Sequence, residues 1–353
     1  MKLYITDFNE KEEFIIKASF KPSYNTNRML LGEQLPLDTP LSVILDVSER
    51  CNFRCGYCFR SDKKDESWSF AASDALMPWS IFERASAQLL SFPQKIKLVS
   101  LSGQGEPLLN PRIADMARHL RRLGIERVDI HTNGSALTET NAAEIGQAGF
   151  TRIVVSLQGV NADDYIRVCG YEIDFERFID NLQRLYKHKN PETHLHVKIM
   201  DVALRGDDEE RRFYEIFSGV ADSLYIEKPV PIWQNVLIAN NQDNKFGENV
   251  GKVACCQIVF YKLWVSPEGD IYPCTKLPPP PRLGNILKMT LREAWESRQR
   301  LEFLKNHLKS TRQAIQTCAA CYIPVNTVTS SEDIIDPYKD EILERLERLP
   351  QDE

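Results

Sequence analysis

Three cysteines fall within eight residues, Cys51-Asn52-Phe53-Arg54-Cys55-Gly56-Tyr57-Cys58, directly after the apolar run Ser42-Val43-Ile44-Leu45-Asp46-Val47. Three thiolates cannot close a tetrahedral site. A structural zinc takes four protein ligands, and a disulfide framework takes an even number of cysteines in an oxidising compartment. The odd trio therefore points to a metal centre with one position kept open, and an iron–sulfur cluster with one iron not held by cysteine meets that need. The competing reading is an incomplete zinc knuckle whose fourth ligand lies elsewhere. Nine cysteines in a chain with no secretory signal argue for metal binding over disulfides.

The spacing C-x-x-x-C-x-x-C behind a first strand, with aromatic Tyr57 before the last cysteine, resembles the radical S-adenosylmethionine (SAM) superfamily. The resemblance implies that Cys51, Cys55 and Cys58 hold a [4Fe-4S] cluster. Its open iron would be chelated by the amino and carboxylate groups of SAM, which one electron cleaves to methionine and a 5′-deoxyadenosyl radical. The next strand-like run, Lys97 to Ser102, enters Gly103-Gln104-Gly105-Glu106-Pro107. Glycines let the backbone approach a ligand closely, and Glu106 offers a carboxylate to an ammonium. That turn resembles the Gly-Gly-Glu-Pro segment with which the family holds the methionyl amino group, Gln104 standing where a glycine often lies. Thr132-Asn133-Gly134 and Ser156-Leu157-Gln158-Gly159 resemble the strand ends that contact the ribose and carboxylate of SAM. Tyr57, Gln104, Gly105, Glu106, Asn133, Ser156 and Gln158 are thus the expected SAM-binding residues.

Strand and helix patterns alternate from Leu41 onward. Strands are expected at 41–47, 97–102, 128–134, 152–159, 194–200 and 223–227, with helices at 113–123, 139–148, 175–187 and 209–218 between them. Near-continuous apolar strands argue for a parallel sheet buried on both faces. Six such units are the partial (β/α)6, TIM-like barrel that the resemblance implies, an α/β fold with the cysteine loop at the C-terminal end of the first strand. His131 reads as an interior residue rather than a base.

A second cysteine group follows a composition shift at Pro229 to Lys245: Cys255-Cys256, Cys274 and Cys318-Ala319-Ala320-Cys321. Between them, Trp264 to Cys274 reads as a β-hairpin turning at Pro267-Glu268-Gly269-Asp270, ahead of a helix from Leu291 to Arg300. This layout resembles the SPASM or shorter "twitch" extension of radical SAM enzymes, a small α+β domain. It implies one auxiliary [4Fe-4S] cluster on Cys256, Cys274, Cys318 and Cys321, with structural zinc as the alternative. The expected organisation is a segment 1–40 of unassigned role, a barrel over 41–235, the auxiliary-cluster domain over 236–330 and a C-terminal helix within 331–353. That helix, Asp340 to Leu349, should pack on the barrel or a partner. Pro278 to Pro281 reads as a stiff spacer.

A net charge of −6 gives no electrostatic reason to expect nucleic acid or an anionic membrane as a partner, and no apolar run is long enough to span a bilayer. The N-terminus lacks the apolar segment of a signal peptide, so a cytoplasmic location is expected. A fully ligated auxiliary cluster suits electron transfer. That favours dehydrogenation of a small polar substrate, carbohydrate-like, an aminocyclitol or a nucleotide sugar, with a flavodoxin or ferredoxin type reductant. Glu227, His196 and Arg152 are conceivable bases. A spare thiol at Cys255 or Cys169 would instead suit a hydrogen donor in an epimerase, the alternative for both thiols being packing. A ribosomally made peptide is the other substrate class, disfavoured because the segment before Leu41 is short. The non-enzymatic alternative is a zinc-binding scaffold.

Overall fold

The computed structural model describes residues 28–61, 74–230, 243–276, 279–309, 312–319 and 321–349. The readings for 1–27, the charged stretch 62–73, the linker at 231–242 and Pro278 lie outside the described residues.

Six strands pair in chain order, all parallel: β1 (Ser42–Leu45), β2 (Leu98–Ser100), β3 (Val128–Thr132), β4 (Arg152–Leu157), β5 (His194–Met200) and β6 (Ser223–Glu227). The connecting helices Trp79–Gln88, Ile113–Arg122, Ala142–Gln147, Phe175–His188 and Asp207–Phe217 supply the crossovers that parallel pairing requires. This is the expected α/β partial barrel. A further helix, Ala162–Cys169, ends at the helix-to-loop edge that Cys169 and Gly170 mark in the sequence. Asn161 caps its start by accepting the Asp164 N–H, and Gly170 ends it at φ 64, a left-handed conformation that glycine adopts at little cost.

One face of the sheet is apolar. Val43 and Leu45, Ile130, Ile153, Val155 and Leu157, and Leu195, Val197 and Ile199 pack under the helices in the main core. The alternate residues face the lumen, and they correct the expectation of strands apolar on both sides. Asp46, Asp129, His196 and Glu227 are buried polar groups, and Arg152 and Lys198 are half-buried. Period-two alternation was present in these strands but masked by the long aliphatic runs on their helix-facing side.

The C-terminal extension continues the same sheet. β7 (Lys262–Val265) pairs parallel with β1, matching Ser42 with Lys262 and Leu45 with Val265, and β8 (Asp270–Tyr272) and β9 (Gly284–Asn285) follow antiparallel. The β7–β8 turn is the predicted hairpin, closed by Gly269 at φ 86. The single helix expected from Leu291 is two: Leu291–Glu296, opened by a capping box of Thr290 and Glu293, and Arg298–Leu308, capped by Ser297. Ser297 is extended and accepts the Arg300 N–H, so the chain bends there. The final helix, Lys339–Glu347, packs within the extension, against helix Arg298–Leu308. Its Ile342 and Leu346 join Phe303, Leu304, Leu308, Cys256 and Cys274 in a second core.

Candidate active site

The cysteine loop is held from below by glycines. A Cβ on Gly105 would lie 2.3 Å from the Arg50 carbonyl and 2.5 Å from that of Ser48, and one on Gly103 would overlap the Asp46 carboxylate. The glycines therefore serve the approach of the β2 turn to the loop carrying Cys51. Glu106 closes the contact by donating its backbone N–H to the Arg50 carbonyl at 2.7 Å.

Glu106 is 2% exposed. Its carboxylate accepts from the Leu108 N–H at 2.9 Å, the Asn133 N–H at 2.6 Å and the Thr132 hydroxyl, tying the β2 turn to the end of β3. Burial pushes its pKa up to about 7 against those hydrogen bonds. Oε2 accepts once here and keeps a lone pair for an incoming ammonium. Asn133 donates its amide to Asn52 Oδ1 at 3.0 Å, and Asn52 donates to Ser135 at 2.7 Å. Asn52 and Ser135 are members of the site that the sequence did not single out. On the far side, the Tyr57 hydroxyl donates to Gln158 Oε1, and Gln158 returns its amide to the Ser156 carbonyl at 3.2 Å. The structure thus gathers Tyr57, Glu106, Asn133, Ser156 and Gln158 around the three cysteines. Gln104 is placed differently, its N–H donating to Asp46 and its side-chain amide to the Thr275 carbonyl.

The thiols of the trio are half-buried. Burial pushes Cys51 and Cys58 up to about 11, and Cys55 is raised by its contact with Cys169 and then by burial. Cys169 is 1% exposed and donates to the Tyr165 carbonyl at 3.0 Å. The Arg54 N–H donates to the Cys169 carbonyl at 3.0 Å, so the end of helix Ala162–Cys169 braces the loop. Arg60 bears on both Cys51 and Cys58, and its Nη2 is buried without a hydrogen-bond partner among the described residues. Thiolates carrying an anionic cluster would satisfy that orphaned donor, so the residues fit such a group.

Four cysteines of the second group line one small pocket with Lys276, His307 and Arg312. Cys256, Cys274, Cys318 and Cys321 all open onto it, and burial raises each thiol, Cys274 to about 11 and Cys318 to about 12. Arg312 donates to the Cys318 and Cys321 carbonyls at 3.4 and 3.3 Å, and the Lys276 N–H donates to Cys274 Sγ at 3.4 Å. Cations and an N–H at the rim match a tetrathiolate cluster. Among the described residues no three His, Cys, Asp or Glu side chains converge on a point suited to a single metal ion. Cys255 is absent from the pocket lining; its N–H donates to Asp336, and Arg312 and Lys339 act on its thiol from the C-terminal side.

The lumen-facing side of the sheet carries a charged cluster. Lys198 Nζ stands 2.6 Å from Glu227 Oε2 and Lys245 Nζ 3.1 Å from Oε1, which holds the Glu227 carboxyl well below its usual range despite burial. His131 reaches solvent in the lumen, and enclosure together with the charges of Lys198, Arg152 and Lys245 keeps its imidazole neutral. His196 is fixed by Ser223 at 2.7 Å and lowered to about 3 by burial. Of the three conceivable bases, Glu227 is thus paired on both oxygens, and His196 is buried and held by Ser223.

Two family models match the chain: the radical SAM superfamily over residues 45–215, and an iron–sulfur cluster-binding SPASM domain over residues 255–322. The tungsten-containing aldehyde ferredoxin oxidoreductase cofactor-modifying protein of Pyrococcus furiosus is 30% identical over 113 residues, 32% of this chain and 29% of that protein. The chain spans half the length or less of such curated relatives. Among solved structures, SuiB of Streptococcus suis bound to S-adenosylmethionine shares the fold with a TM-score of 0.60 at 15% identity, over 84% of this chain and 74% of that one. BtrN in complex with AdoMet and 2-DOIA matches with a TM-score of 0.53 at 18% identity, over 84% of this chain and 99% of that one. With the trio in the loop after β1 and four cysteines lining one pocket of the extension, the chain belongs to the radical SAM superfamily and carries a C-terminal SPASM iron–sulfur cluster-binding domain.

Proposed function

We propose that this protein is a radical SAM dehydrogenase of a small polar substrate, carbohydrate-like, an aminocyclitol or a nucleotide sugar, bound in the barrel lumen. The observation that carries the reading is the pocket with four cysteines on its wall, Cys256, Cys274, Cys318 and Cys321, enough to ligate one auxiliary [4Fe-4S] cluster completely. Cys51, Cys55 and Cys58 would hold a first cluster that, with SAM, would supply radical hydrogen abstraction, and Cys256, Cys274, Cys318 and Cys321 would hold an auxiliary cluster that would serve as the one-electron acceptor. Complete cysteine ligation leaves the latter cluster electron transfer as its work.

The chain's own residues bind and orient. Tyr57, Glu106, Asn133, Ser156 and Gln158 frame the SAM site, Glu106 meeting the ammonium through Oε2. Lys198, Lys245 and Glu227 present charged donors and an acceptor to the lumen beside Arg152, a lining suited to hydroxyl and amino groups. Neutral His131, open to the same lumen, offers a ring nitrogen that can accept a hydrogen bond from a substrate hydroxyl. Cys255 faces the C-terminal segment, which supports a packing role over hydrogen donation. The reductant is a flavodoxin or ferredoxin type protein.

Deuterium placed on the oxidised carbon tests the proposal, with the anaerobic enzyme and candidate amino and nucleotide sugars. A dehydrogenase moves the label into 5′-deoxyadenosine and yields a carbonyl product. Solvent deuterium appearing at that carbon in a product of unchanged oxidation level would instead establish epimerisation and overturn the reading.

A further inference from the structure

Gln104 spends its polar groups within the protein, and they lead in two directions. Its backbone carbonyl accepts from Arg60 Nε at 2.9 Å, and Arg60 lies two residues beyond Cys58. Its side-chain Nε2 donates to the Thr275 carbonyl at 2.7 Å, and Thr275 directly follows Cys274. Its own N–H is anchored on the buried Asp46 at 2.9 Å, just beyond β1. One residue therefore joins the loop of the first cysteine group to that of the second. The bond spans 171 positions of sequence and crosses from the barrel to the extension.

An apolar seam runs alongside. Phe59, Trp264 and Tyr272 form a small cluster with Ile44 and Cys58, and Trp264 stacks on Tyr272 with ring centroids 4.9 Å apart. The seam fills space but sets no register for the stretch after β8, because stacked rings can slide. A directed amide-to-carbonyl bond does set one. The other two bonds of Gln104 come from its backbone and would survive any side chain. Only the bond to Thr275 needs glutamine.

We infer that Gln104 is a positioning residue that fixes the Cys274 loop against the Cys58 loop, and so sets the separation of the two clusters. The inference rests on the reading that both cysteine groups carry clusters. It predicts that the side-chain amide, not bulk at this position, holds the second loop in place. Electron transfer to the auxiliary cluster would depend on that separation.

The test uses the anaerobically reconstituted full chain and its Gln104→Ala and Gln104→Glu variants. The second is isosteric, and its carboxylate cannot donate to Thr275. Iron and sulfide counts per chain equal to wild type establish that the variants are loaded. Amide hydrogen exchange over residues 274–276 should then speed up on the order of fivefold in both, the loss of one net hydrogen bond. The magnetic coupling between the two reduced clusters, read by electron paramagnetic resonance, should also change. Exchange and coupling both unchanged in loaded variants overturn the assignment. A wild-type protein that shows a single cluster signal at full iron loading overturns the two-cluster reading beneath it, and that outcome is told apart because it appears before any substitution.

Discussion

At the scale of single residues, the site mixes groups whose chemistry announces itself with groups that only the fold can assemble. The seven cysteines of the two sites were legible because thiols at such spacings have few other uses in a chain of this kind. Lys198, Glu227 and Lys245 were not legible as a unit. They come from β5, β6 and the loop beyond, and no local pattern links them. Their coupling has a measurable consequence. The Glu227 carboxyl is depressed in the folded protein, so its pairing stabilises the fold above the ordinary carboxylate range and is lost as pH falls through the lowered folded value. Glu227→Gln should cost about 3 kcal/mol at neutral pH by leaving two ammonium groups short of a partner, measured by anaerobic denaturant unfolding. The difference from wild type should shrink as pH is lowered below about 4. A gap that widens in acid would contradict the pairing.

At the scale of elements, the parallel units were readable from their alternation of apolar strands and amphipathic helices. Boundaries and breaks were less so. Ser297 hides as one polar residue among charged neighbours, yet it splits a helix because its hydroxyl competes for the Arg300 N–H. The turn after β2 was read for its resemblance, and Gly105 there also meets the backbone of Ser48 and Arg50 closely. Gly105→Ala tests how much the loop depends on that approach. An added methyl group would meet backbone oxygens of the cysteine loop at 2.3 and 2.5 Å, and backbone yields poorly. The variant should keep its far-ultraviolet circular dichroism while its iron content falls towards that of the second site alone. Wild-type iron content would show that the loop tolerates the displacement.

At the scale of the whole molecule, the extension is built into the barrel. β7 pairs with β1 along the strand that delivers the first cysteine loop, so the sheet that leads to Cys51 also leads, through β8, to Cys274 of the second group. The sequence revealed the hairpin but not this junction, because a strand's partner depends on which sheet edge remains open and not on its own residues. Two cores result, one under the barrel helices and one joining the second cysteine group to the C-terminal helix Lys339–Glu347. The account stands on homolysis of SAM at the trio, and the direct measurement is the yield of 5′-deoxyadenosine from reconstituted, oxygen-free protein with reductant. The wild-type chain should produce it and Cys55→Ala should reduce it to background. A yield unaffected by that substitution, or none from a fully iron-loaded wild type, would contradict the account.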